Sequence, residues 1–431
     1  MIHNRPLGAI AFVAAFTIAN RAGALQPLDA FVAGAKQNNP DNRQASAVTR
    51  QRAAQRDVAR AAYLPSLTVQ GVYTRNQFPA SFALPTGQTL TITPQNGLDA
   101  YLTVAVPLVN IGAWEPRRAA TLSLEGAEAT QLSTELSVES SVILAYYQLL
   151  GSEAVLFAAK KTQGVAEANV KTVRDRLELG AASELDVQRA LADVARAQQD
   201  VANADQSVVV ARRGLESLAR VTPEPAVEAN YVEDDLREEA PLATWLRGTN
   251  GDLVAVAPAV LASRAAEASH SAARAGWLPT VAAQGQEHIT NAGGFTGHTQ
   301  IYTLTATATW RVDFGVGPNV EVQNAALAVA RAAEDRARRA ADDQIHQAWY
   351  QVRAGIEKAR AARAQVKAAT LAHSLARDRY ANGIATQLEV VQAQRDFFSA
   401  AISQVQADFD LQYARAQLRI ASRRMGEERA R

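Results

Sequence analysis

Residues 174–187 read RDRLELGAASELDV and residues 377–390 read RDRYANGIATQLEV, one phrase met twice at an offset of 203. Within it Arg174-Asp175-Arg176 answers to Arg377-Asp378-Arg379, Gly180 to Gly383, and Leu185-Asp186-Val187 to Leu388-Glu389-Val390. The same offset relates Val109-Asn110-Ile111-Gly112 to Val312-Asp313-Phe314-Gly315 and Ala145-Tyr146-Tyr147 to Ala348-Trp349-Tyr350. The chain is therefore read as an internal duplication. A constant offset means no insertion or deletion, as expected where continuous packed helices fix the length. Upstream, Tyr63-Leu64-Pro65 matches Trp277-Leu278-Pro279 at an offset of 214. The altered offset points to loops between these markers, which tolerate length changes that helices do not.

Between Pro116 and Pro223 there is no proline, and none follows Pro318, so Pro116 and Pro318 are read as helix starts. Pro116 to Leu179 spans 64 residues, about 96 Å of helix at 1.5 Å per residue and far beyond an ordinary globular helix. Leu185 to Arg220 and Asn42 to Ala62 together come close to that length, so one long helix is expected beside two shorter ones, twice over. Leu388, Val391, Phe398, Ile402, Val405, Phe409, Tyr413 and Ile420 recur at helical spacing. Gly180 and Gly383 suit helix ends, and Ser183 and Thr386 suit N-caps, with Asp186 and Glu389 three residues on. A filamentous coiled coil would leave the segments between these helices unexplained.

Those segments alternate. Tyr302, Leu304, Ala306, Ala308, Trp310 and Val312 are interleaved with Thr303, Thr305, Thr307, Thr309 and Arg311. From Tyr302 to Trp310 a strand rises roughly 26 Å at about 3.3 Å per residue, close to the height of an outer-membrane apolar band bounded by aromatic girdles. Leu98, Ala100, Leu102, Val104 and Val106 alternate likewise, as do Leu67, Val69, Gly71 and Tyr73, and more weakly Val281, Ala283, Gly285 and Ile289. Each half thus supplies one hairpin, with a long loop from Thr74 to Gly97 in the first and a short Gly-rich one from Asn291 to His298 in the second. Four strands leave two unpaired edges, which lipid forbids. Two copies would give an interior filled by side chains, whereas three give twelve strands and a lumen. The expected fold is α+β: a homotrimeric twelve-stranded transmembrane β-barrel, four strands per chain, continued by a long α-helical barrel.

Composition agrees. Of 431 residues 48% are hydrophobic but only 6% aromatic, with Ala prominent, which suits close helix packing better than a thick core. Forty-four basic residues balance 43 acidic ones, so nothing marks a nucleic-acid surface. There is no Cys, hence no disulfide and no thiolate metal site. No phosphate-binding GxxxxGK[ST] loop, HExxH or GxSxG occurs; His288 and His298 lie near the second loop, and no metal, cofactor or catalytic residue is assigned. Leu7 to Ala19 is a 13-residue apolar run followed by Ala22-Gly23-Ala24, the pattern of a secretory signal peptide and too short to span a bilayer. The expected organisation is a signal peptide over 1–24, a first repeat over 25–223 with a β-hairpin near 64–109 and a helical hairpin near 113–220, an acidic connector over 224–241, and a second repeat over 242–431 with hairpins near 278–313 and 318–424. The connector, from Glu224 to Glu239, carries seven acidic residues against Arg237 and reads as solvated.

Asn39-Pro40, the Leu-Pro pairs before the first strand of each half, Pro107-Leu108 with Asn110-x-Gly112, and Arg-x-Arg-Tyr-x-x-Gly from Arg377 to Gly383 stand in an order that resembles the TolC-type outer-membrane efflux family. The resemblance covers essentially the whole chain after the leader. It implies an outer-membrane channel with a large periplasmic portion in a Gram-negative bacterium. Such a channel is a passive conduit for small molecules, working with a periplasmic adaptor protein and an inner-membrane transporter. The exit duct of type I protein secretion is the alternative within the class. A periplasmic coiled-coil adaptor fits less well, since it would carry a single helical hairpin. The resemblance further implies that Gly180, Ala181, Ala182 and Ser183, with Gly383, Ile384, Ala385 and Thr386, are adaptor-contact tips. Glu389 takes the place of a pore-gating aspartate, with Asp186 and Gln392 beside the gate; Gln392 stands where some members have a second acid. Arg176, Arg379 and Tyr380 are expected to stabilise the tips, and Tyr302 and Trp310 to contact outer-membrane lipid.

Overall fold

The computed structural model describes residues 25–83, 89–224, 234–246 and 252–425. The expected signal peptide and half of the acidic connector lie outside them. Helices α1 (Leu28–Asn38) and α2 (Pro40–Ala61) meet at Asn39, whose side chain accepts from the Asp41 N–H at 2.9 Å. Strands β1 (Ser66–Arg75), β2 (Ala80–Ala83), β3 (Thr89–Thr93) and β4 (Asn96–Val109) follow, then α3 (Ile111–Glu178) and α4 (Glu184–Ala219). The second half has α5 (Leu242–Trp245), α6 (Ala257–Ala275), β5 (Thr280–Thr290), β6 (Gln300–Thr309), α7 (Val316–Ala381) and α8 (Gln387–Ala421).

Two boundaries differ from the sequence reading. Helix α3 starts at Ile111, so Pro116 lies inside it. The proline forfeits one bond, to the carbonyl of residue 112, close enough to the helix start to be tolerated. The long first loop contains the small hairpin β2–β3, which forms its own two-stranded sheet. Its strands are short and sit among Pro79, Pro85 and Pro94, which obscure their alternation. An 18-residue stretch of α3 reaches a mean hydropathy of 1.5, enough by length and composition to cross a bilayer.

The chain forms two compact units. Of the described residues, the first comprises 25–32, 145–224, 234–235 and 361–409. Here the C-terminal part of α3 packs on α4 through Val170, Val173, Val187 and Ala190. Phe31 lies 5.8 Å from the Tyr146 ring and Tyr147 lies 5.9 Å from Phe409. At Gly151 any Cβ would sit 3.2 Å from the Phe409 ring, so the small residue sets how closely α3 and α8 approach. Polar locks join helices across this packing. Asp408, with a side chain 0% exposed, accepts from Arg363 at 2.7 Å, and Arg395 of α8 reaches Asp193 of α4 at 2.7 Å. Arg363 also donates to the Asp234 carbonyl, so this part of the acidic segment is held and not merely solvated. His373 of α7 stacks on Phe397 of α8 with ring centroids 5.8 Å apart, and its buried Nε2 has no hydrogen-bond partner. Burial, with Arg377 a turn away, holds the His373 pKa below the usual imidazole range.

Of the described residues, the second unit comprises 33–83, 89–144, 236–246, 252–360 and 410–425. Its helices bury Ile345, Val352, Leu411 and Leu418, and Thr49 of α2 donates to Gln131 of α3 at 2.9 Å. Ser263 of α6 donates to Glu334 of α7, which also accepts from Arg338 at 2.6 Å. Arg415 pairs with Glu239 and Trp349 donates to the Ala240 carbonyl at 2.9 Å, so here too the connector is docked. The unit carries a four-stranded antiparallel sheet in the order β1-β4-β5-β6, leaving β1 and β6 at its edges.

The buried Asp408–Arg363 pair and the exposed Arg56–Asp57 pair predict unequal costs. Asp408→Ala leaves a guanidinium without its carboxylate and should lower stability by about 3–5 kcal/mol, whereas Arg56→Ala should cost less than about 1 kcal/mol. Chemical denaturation of the two variants in detergent checks this, and equal costs would refute it. His373 gives a pH signature. Its folded pKa lies below its unfolded value of about 6.5, so the unfolded chain takes up the proton first. Stability is therefore full above about pH 6.5 and falls as the pH drops below it. His373→Leu should flatten that slope in thermal melts, and an unchanged slope would count against it.

Candidate functional site

Two places gather the expected site residues. The first is the pair of helical turns in the first unit. Both end in the same way: Gly180 and Gly383 take φ of 71° and 74°, a region where a side chain is strained. The N–H of Ala181 donates to the Arg176 carbonyl at 2.8 Å and that of Ile384 to the Arg379 carbonyl at 2.9 Å, closing each long helix. Ser183 and Asp186 form a reciprocal cap on α4, with the Asp186 carboxylate accepting the Ser183 N–H at 3.0 Å. The Ser183 hydroxyl above all, then its N–H and Arg189, holds the Asp186 carboxyl below the usual carboxylate range. Thr386 and Glu389 repeat the arrangement on α8, at 3.3 Å each way.

Arg176 does more than favour its own helix end. Its guanidinium donates to the Tyr380 and Ala381 carbonyls at 3.0 Å each and lies 4.3 Å over the Tyr380 ring. It thus caps the C-terminus of α7 from α3 and joins the two turns. Such a cap combines charge-assisted hydrogen bonds, favourable charge at a helix C-terminus and a cation–π contact. Arg379 approaches Glu389 to 4.0 Å, and Gln392 donates to Asp396 at 3.2 Å. Leu179, Leu185, Ile384 and Leu388 are exposed around the two turns. Of these, only Ile384 is among the expected contact residues. The other three carry the signal of apolar residues beside helix-ending glycines.

The second place is the sheet. Its register aligns Leu67 with Val104, Gly285 and Leu304, and Val69 with Leu102, Glu287 and Tyr302. One face therefore carries the apolar set, and Tyr302 and Trp310 on it are 75% and 72% exposed. The opposite face aligns Thr68 with Thr103, Gln286 and Thr303, and Gln70 with Tyr101, His288 and Ile301. His288 meets Asp99 at 2.8 Å and stacks on Tyr101 at 4.4 Å, a cross-strand cluster on the polar face. Glu287 breaks the apolar alternation of β5, which is why that strand reads poorly. It shares a row with Val69, Leu102 and Tyr302, and the apolar face continues beyond it through Ile289, Leu98 and Tyr73. Trp310 donates to the Trp277 carbonyl at 3.2 Å; Trp277 and Trp114, also exposed, extend the aromatic rim at this end of the sheet. Both are visible in the sequence, Trp277 only as a repeat marker.

The family described as "Outer membrane efflux protein" has a profile that matches residues 32–219 and 252–422. Two relatives from different strains of Pseudomonas putida, the probable efflux pump outer membrane protein SepC and the toluene efflux pump outer membrane protein TtgF, are each 26% identical over 387 residues. In both cases the match covers 86% of this chain and 77% of the relative. Among solved structures, the Campylobacter jejuni CmeC outer membrane channel superposes with a TM-score of 0.78 at 15% identity, covering 98% of this chain and 94% of that one. The fold is that of outer-membrane channels of this kind, and the repeated helical hairpins with their intervening strands are its parts. On the span of the profile match, the chain belongs to the outer membrane efflux protein family.

Proposed function

We propose that three copies of this chain close their sheets into one twelve-stranded barrel across the outer membrane and their helices into a periplasmic tube. The assembly is the passive exit duct of a tripartite efflux system. The observation that carries this reading is the four-stranded sheet with an exposed apolar face, a Thr- and Gln-rich opposite face and unpaired edges at β1 and β6. In lipid the apolar face turns outward, the polar face lines water, and β1 of one copy pairs with β6 of the next. Energy comes from an inner-membrane transporter, which also selects the cargo. The exposed Leu179, Leu185, Ile384 and Leu388 offer the helical hairpin of an adaptor an apolar seat beside Gly180 to Ser183 and Gly383 to Thr386.

The turns then form the gate at the periplasmic end. Three copies of Glu389 make a like-charged ring that favours cations. Thr386 and Arg379 hold each Glu389 side chain, while Arg176 clamps the two turns of a chain together. In planar bilayers, Arg176→Ala should raise the resting single-channel conductance several-fold by releasing the Tyr380 and Ala381 carbonyls. Glu389→Ala should lower cation preference and alter drug resistance in cells that depend on this chain for efflux. Unchanged conductance, selectivity and resistance in both variants would overturn the gate assignment.

A further inference from the structure

At the foot of the sheet, where α2 runs into β1 and β4 runs into α3, lies a depression of about 620 Å³. Arg60 from the last turn of α2 and Arg117 from the start of α3 line it. Both are exposed, and among the described residues neither guanidinium has a carboxylate partner. The nearby carboxylate Glu115 faces Arg118 at 3.9 Å, an ion pair without a hydrogen bond. Tyr63, which donates to the Ala113 carbonyl, fixes one wall, and Leu64, Leu108 and Trp114 supply an exposed apolar one.

The depression lies at a definite height. Pro107, just before Leu108, pairs with Ala282, and Val109 pairs with Val281, which itself pairs with Ala308, two residues before Trp310. The cavity is therefore level with the aromatic rim at the helical end of the apolar face. Cations above an apolar wall at that height match a phosphate headgroup with its acyl chain, since guanidinium donates to phosphate in a fork and basic pockets at this level select acidic lipids. A zwitterionic headgroup would bring a further positive charge beside the two guanidiniums, which an anionic one does not.

We propose that this depression binds an acidic phospholipid of the periplasmic leaflet. Arg60 and Arg117 hold the phosphate, and Leu64, Leu108 and Trp114 lie along the first carbons of its acyl chain. The site anchors α2 and α3 at the membrane surface where the sheet gives way to helices. This inference rests on the outer-membrane reading above.

The test uses the full chain reconstituted in nanodiscs of phosphatidylcholine containing a minor fraction of phosphatidylglycerol, with retained lipid counted by native mass spectrometry. Phosphatidylglycerol should be enriched several-fold over its share and should stay bound in excess inorganic phosphate. Arg60→Gln and Arg117→Gln should each reduce the enrichment, their combination should abolish it with conductance unchanged, and Arg52→Gln, farther along α2, should preserve it. No preference for phosphatidylglycerol, or the same preference in the double variant, would overturn the proposal. So would displacement by inorganic phosphate, or cross-linking that places a second copy of the chain over Arg60 and Arg117. A protein that enters no nanodisc of any composition would instead overturn the outer-membrane reading, and this proposal with it.

Discussion

The unpaired backbone of β1 and β6 is the constraint on which the rest of the molecule depends. Each edge presents a row of N–H and C=O groups, and in hydrocarbon every unsatisfied group costs several kcal/mol. Water would blunt that cost, but the apolar face that includes Leu67, Val69, Leu102, Leu304 and Tyr302 is too continuous to be left in water. A sheet with one lipid-suited face and two open edges is stable only when other copies of itself complete it. The proposed closure by three copies would also account for the polar face. A twelve-stranded barrel has room for a water-filled lumen, and Thr68, Thr103, Gln286 and Thr303 are suited to line it.

The helices solve a different problem. The proposed tube would have a wall one helix thick with no deep core, so its stability would come from close contacts between small residues and from a few polar locks. Alanine supplies the first, with Ala190, Ala197, Ala204 and Ala219 buried along α4 alone, and Gly151 admits the Phe409 ring. The locks are specific: Arg363 on Asp408, Arg395 on Asp193 and Arg176 on the end of α7 within one unit, Arg415 on Glu239 and Ser263 on Glu334 within the other. The buried ion pairs among them, Arg363–Asp408 and Arg415–Glu239, add little net stability but cost much when half removed. The locks join neighbouring segments at fixed positions, and at the turns Arg176 holds the end of α7 to α3.

What could be read from the sequence follows from the range of each interaction. Strands and caps are local. The Thr/apolar alternation from Tyr302 to Trp310 and the pairing of Ser183 with Asp186 depend on residues close together in the chain, and both are legible. Glu287 hides β5 because one charge breaks a period of two, and the prolines around β2 and β3 hide a short hairpin. Pro116 points to α3 but misplaces its start by five residues. The long-range locks are invisible for a plain reason: the partner of Arg176 lies 204 residues away, and that of Arg363 is an aspartate set among residues that otherwise read as an amphipathic stripe. The acidic segment reads as solvated when its charges are counted without Arg363 and Arg415, which hold Asp234 and Glu239.

The central claim, that the sheet is completed by copies of the same chain, is tested most directly by the mass of the purified protein. Light scattering in mild detergent, corrected for bound detergent, should give the mass of three chains, and heating should convert it to one. A stable monomer that retains its β-signal, or a dimer, would contradict the account.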